Sequence, residues 1–249
     1  MRYFIEIAYN GKNYHGWQIQ PNAASVQEEL EKVLSTILRK EVKVVGAGRT
    51  DAGVHAKQLF AHFDFEEIKM PSDLVFKLNS FLPKDISVKS IKRVEDEAHA
   101  RFDAWERVYE YLISLEKDPF FEDFAYQLHQ KPDLIRMNEA ANVLLEYKDF
   151  QCFSRSNTDV KTYHCNVKSA FWKEDGNQLI FTITADRFLR NMVRAIVGTL
   201  LEVGYGKKTV EDVHRIIESK NRGEAGASAP AHGLYLIKVG YPEDIFINN

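Results

Sequence analysis

Residues 46–55 read GAGRTDAGVH and form the densest motif in the chain. Three glycines within eight residues allow the backbone to turn sharply or to approach a ligand closely. Arg49 and Asp51 bring opposite charges into that turn. A glycine loop with a surface ion pair explains these residue types as well as a catalytic loop does. The segments on either side must therefore show what kind of structure the loop belongs to.

Strands and helices are predicted to alternate around this loop. Residues 2–9 alternate between apolar and polar side chains, which predicts a strand. Ser25, followed three residues later by Glu28, predicts a helix N-cap with a capping box. The other elements of this half are predicted at residues 26–38 (helix), 42–46 and 58–65 (strands), 72–82 (helix, with Ser72 as its cap) and 86–94 (strand).

The second half of the chain repeats the order β-α-β-β-α-β with one extra helix. Its elements are predicted at residues 107–115 (strand), 136–147 (helix), 163–173 and 178–185 (strands), 188–203 and 209–218 (helices) and 233–241 (strand). Residues 221–230, rich in Gly, Ala and Ser, are predicted to form a mobile loop.

Two units of the same element order predict an α+β fold. The expected architecture is two similar split βαβ (ferredoxin-like) halves, which form a mainly antiparallel sheet with helices packed on it and an active-site cleft between the halves. We divide the chain into an N-terminal half, residues 1–104, which carries the loop with Asp51, and a C-terminal half, residues 105–249.

Composition is that of a soluble globular protein, with 249 residues, 45% hydrophobic and 28% charged. The longest apolar run is far below the roughly 20 residues that span a bilayer, so no membrane association is expected. Cys152 and Cys165 could pair but imply no disulfide framework, which favours a cytoplasmic location. A net charge of −3 argues mildly against a nucleic-acid binder, yet residues 186–208 carry five basic and two acidic side chains, a local charge of +3.

Competing catalytic motifs fail at required positions. A dinucleotide-binding fingerprint would need glycine where Asp51 stands, and P-loop and nucleophile-elbow motifs lack required glycines at Leu201 and Pro230. There is no C-x-x-C pair of the kind that zinc deaminases require. His55 and His62 flank a strand and are predicted to be surface or loop residues rather than ligands. We therefore expect no metal site.

The string GAGRTDAGVHA at residues 46–56 resembles the catalytic loop of the tRNA pseudouridine synthase A family. Other segments resemble that family in the same order and extend the likeness over nearly the whole chain: 9–11 (YNG), 16–18 (GWQ), 107–111 (RVYEY), 188–198 (FLRNMVRAIVG) and 230–236 (PAHGLYL). The resemblance implies isomerisation of uridine to pseudouridine in the anticodon arm of tRNA, at positions 38–40. It also implies a cytoplasmic homodimer that needs no cofactor.

The resemblance assigns roles to individual residues. The catalytic carboxylate falls on Asp51, the tyrosine that contacts the target base falls on Tyr109, and the arginine that pairs with the carboxylate falls on Arg194. Three further residues are assigned to substrate binding: Arg49, Arg190 and Leu234. From the residues alone, Tyr111 stays an alternative to Tyr109, because both lie on the same face of the predicted strand.

These residue types suit the implied chemistry. Cleavage of the bond between N1 of uracil and C1′ of ribose develops positive charge at C1′, which a carboxylate can stabilise or trap, as in retaining glycosidases. Removal of a sugar proton by the same carboxylate is a second route, and the sequence does not choose between them. Three alternative functions stay open: a catalytically inactive RNA-binding protein on the same fold, a nucleoside hydrolase or glycosylase, and a pseudouridine synthase with a broader RNA target range.

Overall fold

The computed structural model describes residues 1–155 and 160–247. The chain divides into two compact units: unit 1 comprises Met1–Glu106 and Leu236–Asn249, and unit 2 comprises Arg107–Tyr235. The closing segment of the chain thus belongs to unit 1. The division into residues 1–104 and 105–249 describes halves in chain order and stays a prediction.

The strands are β1 (Arg2–Tyr9), β2 (Val45–Gly46), β3 (His55–Asp64), β4 (Ile86–Val94), β5 (Glu106–Ser114), β6 (Tyr126–Gln127), β7 (Val167–Asp175), β8 (Gln178–Ala185) and β9 (Leu234–Gly240). The helices are α1 (Val26–Leu38), α2 (Pro71–Phe81), α3 (Leu134–Val143), α4 (Met192–Gly204) and α5 (Val210–Ser219). The predicted class is confirmed, because helices and mainly antiparallel strands alternate along the chain in both units.

In unit 1 the strands are ordered β4-β1-β3-β9, and β2 pairs with β3. Strand β1 runs antiparallel to both β3 and β4. Helix α2 packs on β4 and contacts α1. The alternation of β1 buries Tyr3, Ile5 and Ile7 as predicted, and Phe4 on the opposite face is also buried. The sheet is therefore covered on both faces along this strand.

In unit 2 the strands are ordered β5-β8-β7, with antiparallel pairing throughout. The short strand β6 pairs with β5 in parallel, and the sequence pattern does not predict it. Helix α3 packs on β7 and beside α4 and α5. Fully buried aromatic side chains fill this core: Tyr111, Phe150, Phe153 and Phe181.

The N-terminal residues of α1 and α2 can be compared with the predicted helix caps. Ser25 caps α1 by accepting a hydrogen bond from the Glu28 N–H, as predicted. The prediction that Ser72 caps α2 is wrong, because that helix begins at Pro71 and no side chain caps it. Proline suits a first helical position, since its ring presets φ and it has no N–H to satisfy.

Residues 221–230 form the irregular segment expected from their composition, but a mobile loop is the wrong description. The Gly226 N–H donates to Thr199 Oγ1 of α4 at 2.9 Å, and the Ala229 N–H donates to the Arg194 carbonyl at 3.0 Å. Ala229 is buried. Residues 226–229 of the segment are therefore packed against α4.

Two further sequence-based expectations concern bilayers and cysteines. Over residues 1–155 and 160–247, no helix has the length and apolar character needed to cross a bilayer. Cys152 and Cys165 are both free thiols. Burial raises the pKa of each thiol to about 12, which keeps both in the protonated, unreactive form.

Candidate active site

The loop at residues 46–55 leaves β2 and enters β3 through a tight turn. The Val54 N–H donates to the Asp51 carbonyl at 3.1 Å, which closes the turn at the predicted carboxylate. Gly53 lies in that turn with a φ of 77°, a backbone conformation that side chains other than glycine rarely adopt. Asp51 is half-buried. The sequence therefore fixes the backbone of its candidate catalytic residue by local geometry.

A second segment, residues 10–17, supports this loop by backbone hydrogen bonds. The Gly53 N–H donates to the Tyr14 carbonyl at 3.2 Å, and the Trp17 N–H donates to the Thr50 carbonyl at 3.4 Å. These bonds lie on both sides of Asp51. They hold the residue before it and the second residue after it on a neighbouring stretch of chain.

Close backbone approach explains two glycines of that supporting segment. A Cβ at Gly11 would overlap the Val54 carbonyl oxygen, and a Cβ at Gly16 would overlap the Thr50 carbonyl oxygen. Gly16 also has a φ of 92°. The sequence comparison singled out these glycines only as part of a family likeness, whereas the structure shows that they let the two segments touch.

Side chains complete the support of the loop. Tyr9 Oη and Thr50 Oγ1 are 2.8 Å apart and hydrogen-bonded in the buried interior. The Gly11 N–H donates to His55 Nδ1 at 3.1 Å. Tyr14 donates its hydroxyl to Asp85 at 2.6 Å, and burial together with this carboxylate raises the pKa of Tyr14 well above its usual range. The supporting segment is thus itself anchored.

The prediction that His55 and His62 are surface or loop residues is wrong. Both side chains are buried, and His62 Nδ1 accepts a hydrogen bond from the Ala100 N–H at 3.1 Å. Burial, followed by the nearby Arg2, lowers the pKa of His62 to about 4. A neutral imidazole can accept at Nδ1, so both histidines act as buried partners for backbone N–H groups.

Arg49 lies two residues before Asp51 on the same loop, and its side chain is exposed. The space beside Gly48, directly before Arg49, is open, since a Cβ at Gly48 would meet no atom within 4 Å. Unit 1 therefore presents an exposed arginine and a half-buried carboxylate on one rigid turn. An arginine in this position can reach RNA without being drawn into the core.

Tyr109 lies on β5 opposite Ile183 of β8. It is half-buried, and its ring meets the Phe188 ring edge to face, with centroids 5.1 Å apart and planes at 87°. The alternative residue, Tyr111, is fully buried and donates its hydroxyl to the Pro230 carbonyl at 2.8 Å. Tyr111 therefore has a structural place in the core, whereas Tyr109 is partly open.

Phe188 lies in the segment between β8 and α4, which the sequence did not indicate as a support for Tyr109. Arg107 Nη1 donates to the Asp186 carbonyl at 2.6 Å, and the Asp186 carboxylate accepts the Arg187 N–H at 2.7 Å. These bonds fix the backbone directly before Phe188. A pairing between β5 and a turn 79 residues later has no local sequence signal.

The two candidate arginines near the start of α4 differ in their surroundings. Arg190 is exposed and precedes the helix, whereas Arg194 is half-buried within its first turn. Arg194 Nε donates to the Ala229 carbonyl at 2.6 Å. Leu234, the remaining candidate, is the first residue of β9 and has a buried side chain, 5% exposed.

The structure thus groups the candidate residues by unit. Unit 1 holds Asp51 and Arg49 on one loop. Unit 2 holds the other four: Tyr109, Arg190, Arg194 and Leu234. Within the described part of the chain, no group of three or more His, Cys, Asp or Glu side chains is placed to hold a metal ion.

Residues 6–103 and 140–242 match the model of a protein family described as tRNA pseudouridine synthase. The match covers more than half of the chain in two blocks, which include the turn with Asp51 and the helix with Arg194.

Proteins named tRNA pseudouridine synthase A are similar to this chain over nearly its full length. One from Bacteroides thetaiotaomicron is 56% identical, over 98% of this chain and 92% of that protein. One from Parabacteroides distasonis is 54% identical, over 98% of each chain. One from Bacillus licheniformis is 41% identical, over 97% of this chain and 99% of that protein.

Proposed function

Since the chain belongs to the tRNA pseudouridine synthase family, it acts as an isomerase that forms pseudouridine in tRNA, and we propose that its targets are uridines 38–40 of the anticodon arm. The observation that supports catalysis by this chain is the turn with Asp51. Its backbone is held on both sides by residues 10–17, so the residue that bears the carboxylate is kept in one backbone conformation. Fixed placement of a reacting group is a major source of enzymatic rate enhancement.

The reaction is an isomerisation and its atoms balance without a co-reactant. The bond from N1 of uracil to C1′ breaks, the base turns over, and a bond from C5 to C1′ forms. The proton on C5 leaves and N1 gains a proton. No electron acceptor or donor takes part, so we propose that no cofactor is needed.

We propose Asp51 as the catalytic residue that acts at the sugar. An ionised carboxylate either attacks C1′ or removes a sugar proton, and each route weakens the bond to the base. Arg194 has the task of keeping that carboxylate charged in the substrate complex. An arginine suits this task because it is always protonated and offers several N–H donors in a fixed plane.

The nucleotide must leave the base stack before its glycosidic bond can be reached. We propose that the Arg49 side chain fills the position in the base stack that the target nucleotide vacates, since this exposed side chain lies on the loop that carries Asp51. Arg190 and Leu234 are proposed to bind the substrate, Arg190 through phosphate because it is exposed and charged.

Tyr109 provides a flat surface on which the detached uracil can turn without escaping. We expect Tyr109→Phe to bind tRNA normally but to lower kcat by about 10²–10⁴-fold, because the hydroxyl assists loss of the C5 proton. The ring itself should stay in place, since its contact with Phe188 involves only the aromatic edge and face. Single-turnover rates and tRNA binding measured on the same preparation check this.

A matched control is Tyr205→Phe, which removes a hydroxyl that donates to the Gln130 carbonyl at 2.9 Å elsewhere in unit 2. It should turn over like the wild type. If Tyr109→Phe also keeps the wild-type rate, the hydroxyl has no chemical role and only stacking remains for Tyr109.

The target positions are tested with tRNA transcripts that carry uridine at only one of positions 38, 39 and 40. We expect pseudouridine at those positions and none in a transcript that lacks all three. Product at other sites would support the broader target range. Release of free uracil would indicate a glycosylase, and tight binding without product would indicate an inactive RNA-binding protein.

The resemblance also implies a homodimer in the cytoplasm, and both belong to the proposal. Analytical ultracentrifugation of the purified chain, alone and with tRNA, measures the assembly. A monomer at micromolar concentrations in both conditions would argue against the dimer while leaving the chemistry of Asp51 unaffected.

A further inference from the structure

Arg194 is held by an unusual pair of hydrogen bonds to a single residue. Its Nε donates to the Ala229 carbonyl at 2.6 Å, and its own carbonyl accepts the Ala229 N–H at 3.0 Å. The next residue, Pro230, is fixed by the Tyr111 hydroxyl at 2.8 Å. Because a long side chain has many rotamers, an acceptor that engages Nε removes most of them before substrate arrives.

The Ala229 carbonyl is placed by the segment of residues 222–230, which lies directly on α4. A Cβ at Gly198 of the helix would overlap the Ala227 carbonyl oxygen, and a Cβ at Gly226 would lie 2.8 Å from the Thr199 nitrogen. Only glycine permits this backbone contact at both positions. The segment is therefore built to run against the helix that carries Arg194.

Ser228 joins three parts of this arrangement. Its Oγ accepts hydrogen bonds from Asn191 Nδ2 at 2.7 Å and from Arg222 Nη2 at 2.9 Å. Arg222 Nη1 also donates to the Gly226 carbonyl at 3.1 Å. Because Ser228 directly precedes Ala229, these bonds hold the backbone on the N-terminal side of the Ala229 carbonyl.

Asn191 joins this arrangement to the start of α4. It is the N-cap residue of α4, with a φ of 67°, in the left-handed region that asparagine adopts more readily than most residues other than glycine. An asparagine at this position normally caps the helix with its own side chain. Here the side chain does not cap α4 and binds Ser228 instead.

We propose that Ser228, with its donors Asn191 and Arg222, is a positioning residue for the isomerisation: it aims the Ala229 carbonyl so that Arg194 is preorganised for the reaction. The inference rests on the catalytic role proposed for Arg194. Preorganised charge speeds a reaction because no reorganisation is needed as the transition state forms. The family match includes residues 222–229, but the family likeness assigns a role to none of them.

The first experiment compares Ser228→Ala with two other variants in single- and multiple-turnover assays on tRNA. Ser228→Ala should lower kcat by about 10-fold and change KM by less than about 2-fold. Ser228→Thr keeps a hydroxyl and should restore kcat to within about 3-fold of wild type. The matched control Ser80→Ala removes a hydroxyl that donates to the Phe76 carbonyl at 2.9 Å within α2, far from this segment in the chain, and it should leave kcat unchanged.

A mutant cycle separates positioning from a general loss of stability. In an Arg194→Met background, Ser228→Ala should produce no further loss of kcat, because residues that act through one another are not additive. An equal fold-loss in both backgrounds, or no loss in the wild-type background, overturns the inference. Thermal melts confirm folding, and Arg222→Met serves the same cycle if Ser228→Ala does not fold.

The cycle also distinguishes this inference from the proposed function. Full activity of Arg194→Met would overturn the role of Arg194 and the inference together. Strong dependence on Arg194 combined with an additive effect of Ser228→Ala would overturn the inference alone.

Discussion

Asp51→Asn is expected to lower pseudouridine formation by at least about 10⁴-fold while leaving folding and tRNA affinity close to wild type. Asparagine is nearly the same size as aspartate, but it carries no charge and neither attacks C1′ nor accepts a proton efficiently. The turn should survive, because its backbone is set by the bond from the Val54 N–H and by the contacts of Thr50 with Tyr9 and Trp17. Product analysis after digestion of the tRNA measures the effect.

Two controls make this result interpretable. Asp73→Asn introduces the same chemical change at an exposed position in the first turn of α2 and should retain full activity. Asp51→Ala removes the whole functional group and should match Asp51→Asn. Turnover by Asp51→Asn within about 10-fold of wild type would refute the mechanism, whatever the family membership implies.

Much of unit 1 could be predicted from local pattern. Strand β1 is recognisable because Tyr3, Ile5 and Ile7 alternate and all three are buried, and α1 is recognisable because Ser25 caps a helical apolar stripe. Strand β6 could not be found in this way. It has two residues and exists only through parallel pairing with β5, so it has no periodicity of its own.

Polar residues were harder to place than apolar ones, because burial of a polar side chain depends on a partner distant in sequence. His55 looks like a loop residue, yet it is buried because the Gly11 N–H satisfies Nδ1 across 44 positions. The orientation of Arg194 depends in the same way on Ala229, 35 residues later. Sequence likeness named the arginine, but only the structure shows the carbonyl that holds it.

The glycines also divide into those explained by local conformation and those explained by a distant contact. Gly53 is explained by its own φ in the turn after Asp51, which the cluster of glycines already suggested. Gly198 lies inside a helix, where glycine lowers helix stability relative to alanine. Its presence makes sense only because the Ala227 carbonyl oxygen occupies the space of a Cβ. A local rule is thus broken where a distant contact requires it.

The second large effect is expected at Arg194. We expect Arg194→Met to lower kcat by about 10²–10³-fold, because the substrate complex would lack the cation that keeps the catalytic carboxylate charged. Arg194→Lys should recover little of this loss. Lysine restores the charge but lacks the planar guanidinium group. Arginine can bind the Ala229 carbonyl through Nε and still donate from its two terminal nitrogens, and lysine has no equivalent pair of donor positions.

Arg190 is the informative comparison for this prediction, since it lies four residues earlier and is exposed. If Arg190 binds phosphate, Arg190→Met should raise KM for tRNA more than it lowers kcat, and this increase in KM should become smaller at higher salt. Asp51→Asn combined with Arg194→Met should be scarcely worse than Asp51→Asn alone, because the arginine is proposed to act through the carboxylate. If kcat instead collapses in Arg190→Met and survives in Arg194→Met, the carboxylate assignment stands and the supporting cation is Arg190. The Ala229 carbonyl would then hold Arg194 for packing of the 222–230 segment on α4 and not for the reaction.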